Sequence, residues 1–416
     1  MEVRFGIDSV VLVRKVRVAG LLAILVTIGS GCGDQQAAPS SESIAHGAVV
    51  AVPAPTGTED DPLAGLPVTA LKDVLASWPL ADADSLVVTD LAAGRVDSFD
   101  DADTEALRGV TFAPDGSLVY VDGPSSLAVI GNDGQRRSIR VDGEIERIAI
   151  VEMVGQRIVV RPSIKSADND RLVAVNTDGS SMCTGPAQPF GDITAGGWAW
   201  FDDLASKLDP VTCRSERGLD VTNDPSDAAP LVSAVHVDGE RVFVAGDTSV
   251  SRFDLDSGRL EATTKEPLPL VMDMAVRDQE VWVLHADELA ALDADTLEME
   301  RRVKLDVCEG TASFVETSTS VYVLDDCAGT LTLLDDTSGD PVKAWELPSD
   351  GMSDSMTGPV VAGPNIWMVN REQSAEPFVF NAETGRFERL PNEVRSEARQ
   401  SAWYLAVKPA LSPAPG

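Results

Sequence analysis

The sequence has few of the residues on which common enzyme sites depend. Only three histidines occur, and they are His46, His236 and His285. Few histidines are therefore available for a metal site or a Ser-His-Asp triad. We expect His236 and His285 to be hydrogen-bonded structural residues. The sequence also has no Gly-rich phosphate loop, no H-E-x-x-H motif and no C-x-x-C motif. These absences favour a binding function over an enzymatic one.

Basic residues are scarce as well. The 33 Lys and Arg residues stand against 67 Asp and Glu residues, which gives a formal net charge of -34. This sign argues against nucleic acid as a partner, and against docking on anionic lipid by charge alone. Such an excess of acid is typical of solubility outside the cell, and a cation-binding or basic-partner surface is the alternative. The hydrophobic content of 44% excludes wholesale disorder.

The N-terminal apolar run is too short to span a bilayer. The run Val18–Ile28 has 11 residues, whereas a membrane-spanning helix needs about 20. A basic cluster precedes it, and small residues followed by Cys32 come after it. This order predicts a secretory signal peptide over residues 1–31.

The position of Cys32 resembles the lipobox of bacterial lipoproteins. That resemblance implies a diacylated Cys32 and attachment to the cell envelope through the lipid. Gly29 stands where the family usually has Leu, so a secreted soluble protein with an unpaired thiol is the alternative. We interpret residues 32–62 as a flexible tether, because they are small, polar and Pro-containing. Residues 63–85 are expected to cover the folded body, residues 86–408 to form it, and residues 409–416 to be a disordered tail.

A repeated unit dominates the rest of the chain. The stretch Met272–Leu305 holds four short apolar runs separated by polar turns, which predicts a four-stranded antiparallel meander. The second run recurs seven times, with its third residues spaced 39, 40, 44, 39, 40 and 45 apart. A period near 41 with four strands per unit is typical of a β-propeller.

The number of units sets the predicted number of blades. Seven complete units run from Arg108 to Leu390, and remnants remain at Leu86–Phe99 and Ala402–Val407. Pairing the remnants would close the ring with an eighth blade, which we expect to have three strands. The fold class is therefore an all-β propeller of eight four-stranded blades, the closing one incomplete, with seven blades as the fallback. The ring is closed by N- and C-terminal strands.

One unit carries a specific sequence resemblance. The stretch Gly109–Val121 resembles the F-S-P-D-G-x-x-L-Y-V hairpin of YVTN and WD40-like propellers. Eight-bladed quinoprotein dehydrogenases are also propellers, and their docking motif combines Asp, Thr-Gly and Trp. Asp335–Gly339 with Trp345 is one loose match, Asn381–Gly385 lacks the Trp, and no adjacent Cys pair exists. We therefore expect no cofactor of that kind.

The recurrent residues of the units have predicted structural roles. Five of the seven third residues of the second runs are aromatic, and we expect them to wedge between neighbouring sheets. Six of the turns between third and fourth strands begin with Asp or Asn, whose side chain can accept backbone N–H bonds. Charges on the fourth strands, such as Glu300, Arg301 and Glu388, are typical of exposed outer edges.

Four of the five cysteines are predicted to form disulfides. The hairpin register places Cys308 opposite position 328, so Cys308 and Cys327 are within bonding reach. Cys183 and Cys213 fall on the fourth strands of consecutive units and form the second predicted pair. A metal-thiolate site is the rival interpretation, but no histidine lies nearby in the sequence.

Two functions from different classes fit the sequence. The first is an extracytoplasmic, lipid-anchored monomer that binds a protein or carbohydrate partner through its loops. The second is a Ca²⁺-assisted hydrolase similar to lactonase propellers, with its site at the channel mouth. Six acids in loops leading into first strands are the candidate binding residues: Asp142, Glu144, Asp192, Asp306, Glu309 and Asp354. Convergence of four or more of them would favour the hydrolase. We predict no catalytic residue and no bound metal.

Overall fold

The computed structural model consists almost entirely of β-strands. It describes residues 63, 65–79, 85–100, 109–123, 125–141, 149–162, 171–186, 192–193, 197–201, 204–220, 232–246, 248–277, 279–308, 311–348, 356–370, 377–394 and 402–408. Within these residues 32 strands form eight antiparallel sheets of four strands each. A single helical turn occupies residues 392–394.

Seven sheets follow the chain in order, and we call them blades 1 to 7. Blades 1 and 2 contain β4 (Val110–Phe112), β5 (Leu118–Gly123), β6 (Ser126–Ile130), β7 (Arg136–Arg140), β8 (Ala149–Val154), β9 (Arg157–Pro162), β10 (Arg171–Asn176) and β11 (Cys183–Pro186). Blades 3 and 4 contain β12 (Asp192–Ile193), β13 (Trp198–Phe201), β14 (Leu204–Asp209), β15 (Arg214–Asp220), β16 (Ala234–Asp238), β17 (Arg241–Ala245), β18 (Val250–Asp254) and β19 (Leu260–Thr263). Blades 5 to 7 contain β20 (Val271–Arg277), β21 (Glu280–His285), β22 (Glu288–Asp293), β23 (Met299–Lys304), β24 (Ala312–Glu316), β25 (Val321–Asp325), β26 (Thr330–Leu334), β27 (Pro341–Glu346), β28 (Met356–Ala362), β29 (Asn365–Asn370), β30 (Phe378–Asn381) and β31 (Arg386–Arg389).

Blade 8 joins the two ends of the folded chain. Its order is β3 (Arg95–Asp100), β2 (Ser85–Asp90), β1 (Val74–Pro79) and β32 (Ala402–Val407). The C-terminal β32 pairs antiparallel with β1, with Ala406 opposite Ala76. It also contacts the first strands of blades 7 and 1. The predicted β-propeller, closed by strands from both ends of the chain, is therefore confirmed.

Two details of the predicted closure are wrong. Blade 8 has four strands instead of three, because Val74–Pro79 is a strand and not part of a covering segment. The propeller therefore begins before residue 86. Residues 66–69 do cover the propeller, since the backbones of Pro67 and Thr69 bond to Arg389 at the outer edge of blade 7.

The aromatic residues of the second strands lie between blades as expected. Tyr120, Phe243, Trp282, Tyr322 and Trp367 are all at most 3% exposed. Trp282, for example, packs against Val321 and Val323 of the next blade. A buried aromatic side chain removes roughly 150–250 Å² from water, which corresponds to about 4–6 kcal/mol before entropy costs. The inter-blade contacts are thus the hydrophobic core of the ring.

The predicted turn-forming acids also act as expected. In six turns before fourth strands, an Asp or Asn side-chain oxygen accepts backbone N–H groups two or three residues ahead: Asp90, Asp209, Asp254, Asp293, Asp335 and Asn381. The hydrogen bond from the Thr296 hydroxyl, followed by that from its backbone N–H, holds the pKa of Asp293 below its usual value. These acids therefore stabilise turns, and the described contacts give them no ligand role.

A set of polar contacts between blades was not predicted. An Arg or Trp on a third or fourth strand donates a hydrogen bond to a carbonyl in the turn before the fourth strand of the next blade: Arg137 to Thr177, Arg252 to Ala294, Arg301 to Ser338, and Trp345 to Gly385. Arg301 also bonds both carboxylate oxygens of Glu280. We call the four hydrogen bonds from Arg137, Arg252, Arg301 and Trp345 to the next blade staples, because they join neighbouring blades at their outer strands.

Two charged residues of the fourth strands, Arg301 and Glu388, are not simply exposed, contrary to the expectation from the sequence. The side chain of Arg301 is only 28% exposed. Glu388 is buried, and it accepts hydrogen bonds from Asn381 and Thr384. Both side chains therefore hold structure together in addition to keeping the outer edge polar.

Candidate functional site on the loop face

The antiparallel order gives the propeller two distinct faces. The connections between blades and the turns between second and third strands lie on one face, which we call the loop face. The turns between first and second strands, and between third and fourth strands, lie on the opposite face. Asp306, in a connection between blades, belongs to the loop face by this topology.

The structure places only part of that predicted acid set. Asp142, Glu144, Glu309 and Asp354 lie outside the described residues, and for Asp192 only the backbone is described, at the start of β12. Asp306 is exposed in the connection from blade 5 to blade 6. Convergence of these acids therefore stays a prediction, and so does the Ca²⁺-assisted hydrolase.

A disulfide with a buried carboxylate lies on the loop face. Cys308, in the connection before β24, is bonded to Cys327, in the turn after β25, and their Cα atoms are 5.9 Å apart. Asp325, the last residue of β25, is fully buried beside them. The predicted pairing of Cys308 with Cys327 is confirmed. The burial of Asp325 was not predicted, although its place directly after an apolar run and two residues before a cysteine was a usable signal.

The carboxylate of Asp325 organises both segments that the disulfide joins. Its Oδ2 accepts the backbone N–H of Cys308 at 2.6 Å. Its Oδ1 accepts the hydroxyl of Thr311 and the backbone N–H groups of Cys327 and Ala328, each at 3.0 Å. Buried carboxylates are stable only when hydrogen bonds replace water in this way. The connection and the turn are thus fixed to each other by one covalent bond and four hydrogen bonds.

The second disulfide lies on the opposite face. Cys183 begins β11 and is bonded to Cys213, so the bond links blade 2 to blade 3. The pairing is confirmed, but Cys213 lies in the turn before β15 and not on a fourth strand. The backbone φ of Cys213 is 55°, a left-handed conformation that costs energy for a residue other than glycine. The surrounding structure has to compensate for this cost. This bond strengthens the contact between blade 2 and blade 3, whose first strand, β12, has only two residues.

His285 is the second buried polar feature of the loop face. Its side chain is 2% exposed, and neither ring nitrogen makes a well-formed hydrogen bond among the described residues. The backbone of Pro269 nevertheless interacts with the ring and raises its pKa, so the expectation of a hydrogen-bonded structural histidine stays a prediction. Its Nε2 lies 3.8 Å from Oε2 of Glu288, which also pairs with Arg302. Burial is the main cause that lowers the pKa of His285, while the charge of Glu288 opposes it.

The remaining predicted residues have no described role in a site. His236 is half-buried on β16, and burial lowers its pKa. Cys32, the proposed lipidation site, and His46 lie outside the described residues. Among the residues that the structure describes, no helix has the length and apolar character needed to cross a bilayer.

The only three-residue cluster of potential metal ligands in the described part of the chain is at the disulfide. It consists of Cys308, Asp325 and Cys327, whose ligand atoms all lie within 4.8 Å of one another. The sulfur atoms are bonded to each other in this state, so the cluster is a disulfide site here. The predicted disulfide is thus favoured over a thiolate metal site in the oxidised protein.

Comparison with known proteins defines the class by fold. No protein-family model matches the sequence, and no curated protein is detectably similar to it. BamB from Moraxella catarrhalis aligns with 14% identity and a TM-score of 0.50, covering 71% of this chain and 92% of that chain. Apo AztD from Citrobacter koseri aligns with 11% identity and a TM-score of 0.50, covering 80% and 97%. Dihydro-heme d1 dehydrogenase NirN, in complex with DHE, aligns with 12% identity and a TM-score of 0.53, covering 81% and 75%.

These structural neighbours are β-propeller proteins, and their similarity to this chain supports its fold. At such low identity the likeness extends to the fold alone, because one propeller fold carries many unrelated functions. The function has to be argued from this chain's own surface.

Proposed function

We propose that this protein is an extracytoplasmic propeller, anchored through a lipid on Cys32, that binds a protein or carbohydrate partner with its loop face. The observation that carries the proposal is the fixed geometry of the connection at Cys308. A disulfide and the four hydrogen bonds of Asp325 hold this connection against its neighbouring turn. A loop that is already ordered loses less conformational entropy when it binds a partner.

The two disulfides support an extracytoplasmic location. Both bonds join residues far apart in sequence, at separations of 30 and 19 residues. Disulfides of this kind persist in oxidising compartments and are rare in the cytosol. The signal-peptide pattern before Cys32 points the same way. BamB and AztD provide fold support only, and no partner is transferred from them.

A second line of support comes from the difference between the two faces. On the opposite face, the first acid of a third-to-fourth-strand turn, such as Asp293 or Asp335, is engaged in its turn, and staples occupy several of the turn carbonyls. On the loop face, Asp306 is exposed beside the fixed connection. Surface groups that are not committed to the fold are the ones available for recognition.

Site-specific photocrosslinking tests the proposed binding face. A photoreactive residue at position 306 should capture one defined partner in intact cells, because it lies beside the ordered connection. The same residue at position 256 is the matched control, since Asp256 is exposed in a turn on the opposite face. Equal capture from both positions, or capture from position 256 alone, would contradict the assignment of the face.

The lipid anchor needs a separate measurement. Mass spectrometry of the mature protein should find a diacylated N-terminal residue at position 32. The variant Cys32→Ser should be released into the soluble fraction while its propeller stays folded. An unmodified N-terminus at Cys32 would contradict the anchor without affecting the proposal for the loop face.

A further inference from the structure

We propose that reduction of the Cys308–Cys327 disulfide converts this cluster into a binding site for a divalent, thiol-seeking metal ion such as Zn²⁺. The ligands would be the two Sγ atoms and Oδ2 of Asp325. The starting observation is that the two Sγ atoms and a carboxylate oxygen of Asp325 already lie within 4.8 Å of one another in the folded protein.

The distances between the candidate ligand atoms suit a tetrahedral metal site once the two sulfur atoms move slightly apart. Zn–S bonds of about 2.3 Å and Zn–O bonds of about 2.0–2.2 Å place neighbouring tetrahedral ligands roughly 3.5–3.8 Å apart. The Cα atoms of the two cysteines are 5.9 Å apart, so separating the two sulfur atoms requires little backbone change. Both cysteines are only partly buried, which gives a reductant and an ion a path to them.

The hydrogen bonds of Asp325 single out one oxygen as the ligand. Oδ1 already accepts three donors and has no remaining capacity. Oδ2 accepts only the backbone N–H of Cys308, so one of its lone pairs remains for a metal ion. The bonds to Oδ1 would hold the carboxylate in place, as the outer partners of a metal ligand commonly do.

Charge balance explains how a divalent cation would stabilise the thiolate form of the reduced cluster. A dithiol reductant transfers two electrons to the S–S bond, becomes a cyclic disulfide and leaves two thiols on the protein. Binding of the metal ion then releases the two thiol protons. Two thiolates and one carboxylate carry three negative charges in a partly buried place, and a divalent cation compensates two of them.

Cobalt(II) binding to the reduced protein tests this site. The exported chain carrying Cys32→Ser, which removes the fifth thiol, is reduced with a phosphine that becomes its oxide and is then titrated with Co²⁺. We expect one equivalent to bind, with thiolate-to-cobalt charge-transfer absorption that Zn²⁺ abolishes by displacement. The oxidised protein should show no such absorption.

The second disulfide supplies a matched control. The double variant Cys183→Ser with Cys213→Ser should keep the full cobalt signal, whereas Cys308→Ser should lose the charge-transfer band. Asp325→Asn should weaken Co²⁺ binding by about tenfold or more, since even outer partners of metal ligands contribute that much. Far-UV circular dichroism recorded in parallel shows whether the sheets remain.

Three results would overturn the inference. They are a folded, reduced chain without charge-transfer absorption, a signal that depends on Cys183 and Cys213 instead, and loss of the sheet structure on reduction of the Cys308–Cys327 bond alone. None of these results bears on partner binding by the oxidised loop face.

Discussion

Truncation of Asp325 should be among the most damaging changes on the loop face. Asp325→Ala removes the acceptor of three backbone N–H groups and one hydroxyl. A buried donor without an acceptor costs about 1–3 kcal/mol, and the partly exposed neighbours allow water to compensate for some of the four. We therefore expect a loss of about 3–5 kcal/mol in the free energy of unfolding.

The substitution Asp325→Asn removes the charge of the side chain but keeps most of its hydrogen bonds. The amide oxygen can replace Oδ1 and keep its three donors, but the amide nitrogen then faces the N–H of Cys308. One donor is lost, so the expected cost is about 1–3 kcal/mol. The order of stability should be wild type, then Asp325→Asn, then Asp325→Ala.

Urea unfolding of the oxidised protein measures these differences. Tryptophan fluorescence and far-UV circular dichroism should give coincident transitions, because only then do the midpoints convert into free energies. Asp335→Ala is the matched control, since Asp335 accepts the same kind of backbone bonds in a solvent-exposed turn and should lose much less stability. A loss below about 1 kcal/mol for Asp325→Ala, or equal losses for the two substitutions at position 325, would refute the reasoning.

Two further predictions concern the core and the pH dependence. Trp282→Ala should cost about 3–5 kcal/mol in urea unfolding, because the side chain is fully buried between blades, and Trp282→Phe should cost clearly less. Burial lowers the pKa of His285, so the unfolded chain binds a proton at higher pH than the folded chain does. Its contribution to stability is fully present above the usual value of 6.5 and is lost as the pH falls below it. Unfolding of His285→Gln should lack this part of the acid-induced loss, and an unchanged pH dependence would contradict the assignment.

The propeller was predictable because its signals are local and repeated. The second strands contain apolar runs, and six of the turns before fourth strands open with a residue whose side chain accepts backbone N–H groups, as at Asp293 and Asp335. The Cys308–Cys327 bond followed from hairpin register for the same reason. Strand β1 was missed because it ends in Pro79, which disfavours a strand, and because its partner β32 lies at the other end of the folded chain.

The staples and the buried polar groups could not be predicted from local sequence patterns. Arg301 and Trp345 donate to turns 37 and 40 residues away. In the sequence they look like ordinary residues of an exposed outer strand. Contacts of this kind arise only when neighbouring blades are in place. The chain at His285 is held instead within its own blade, where Leu270, just before β20, accepts the N–H of Ala286.

The distribution of these contacts explains how one ring can be rigid and still carry a changeable surface. The aromatic core and the staples hold neighbouring blades together along their sheets and at the opposite face. The Cys308–Cys327 bond instead joins a connection to a turn within a few residues of blade 6. Breaking it leaves the staples and the aromatic contacts between blades in place, while the hydrogen bonds of Asp325 still join the connection to the turn. The proposed partner recognition by the oxidised loop face and the proposed metal binding by the reduced cluster are therefore compatible with one fold.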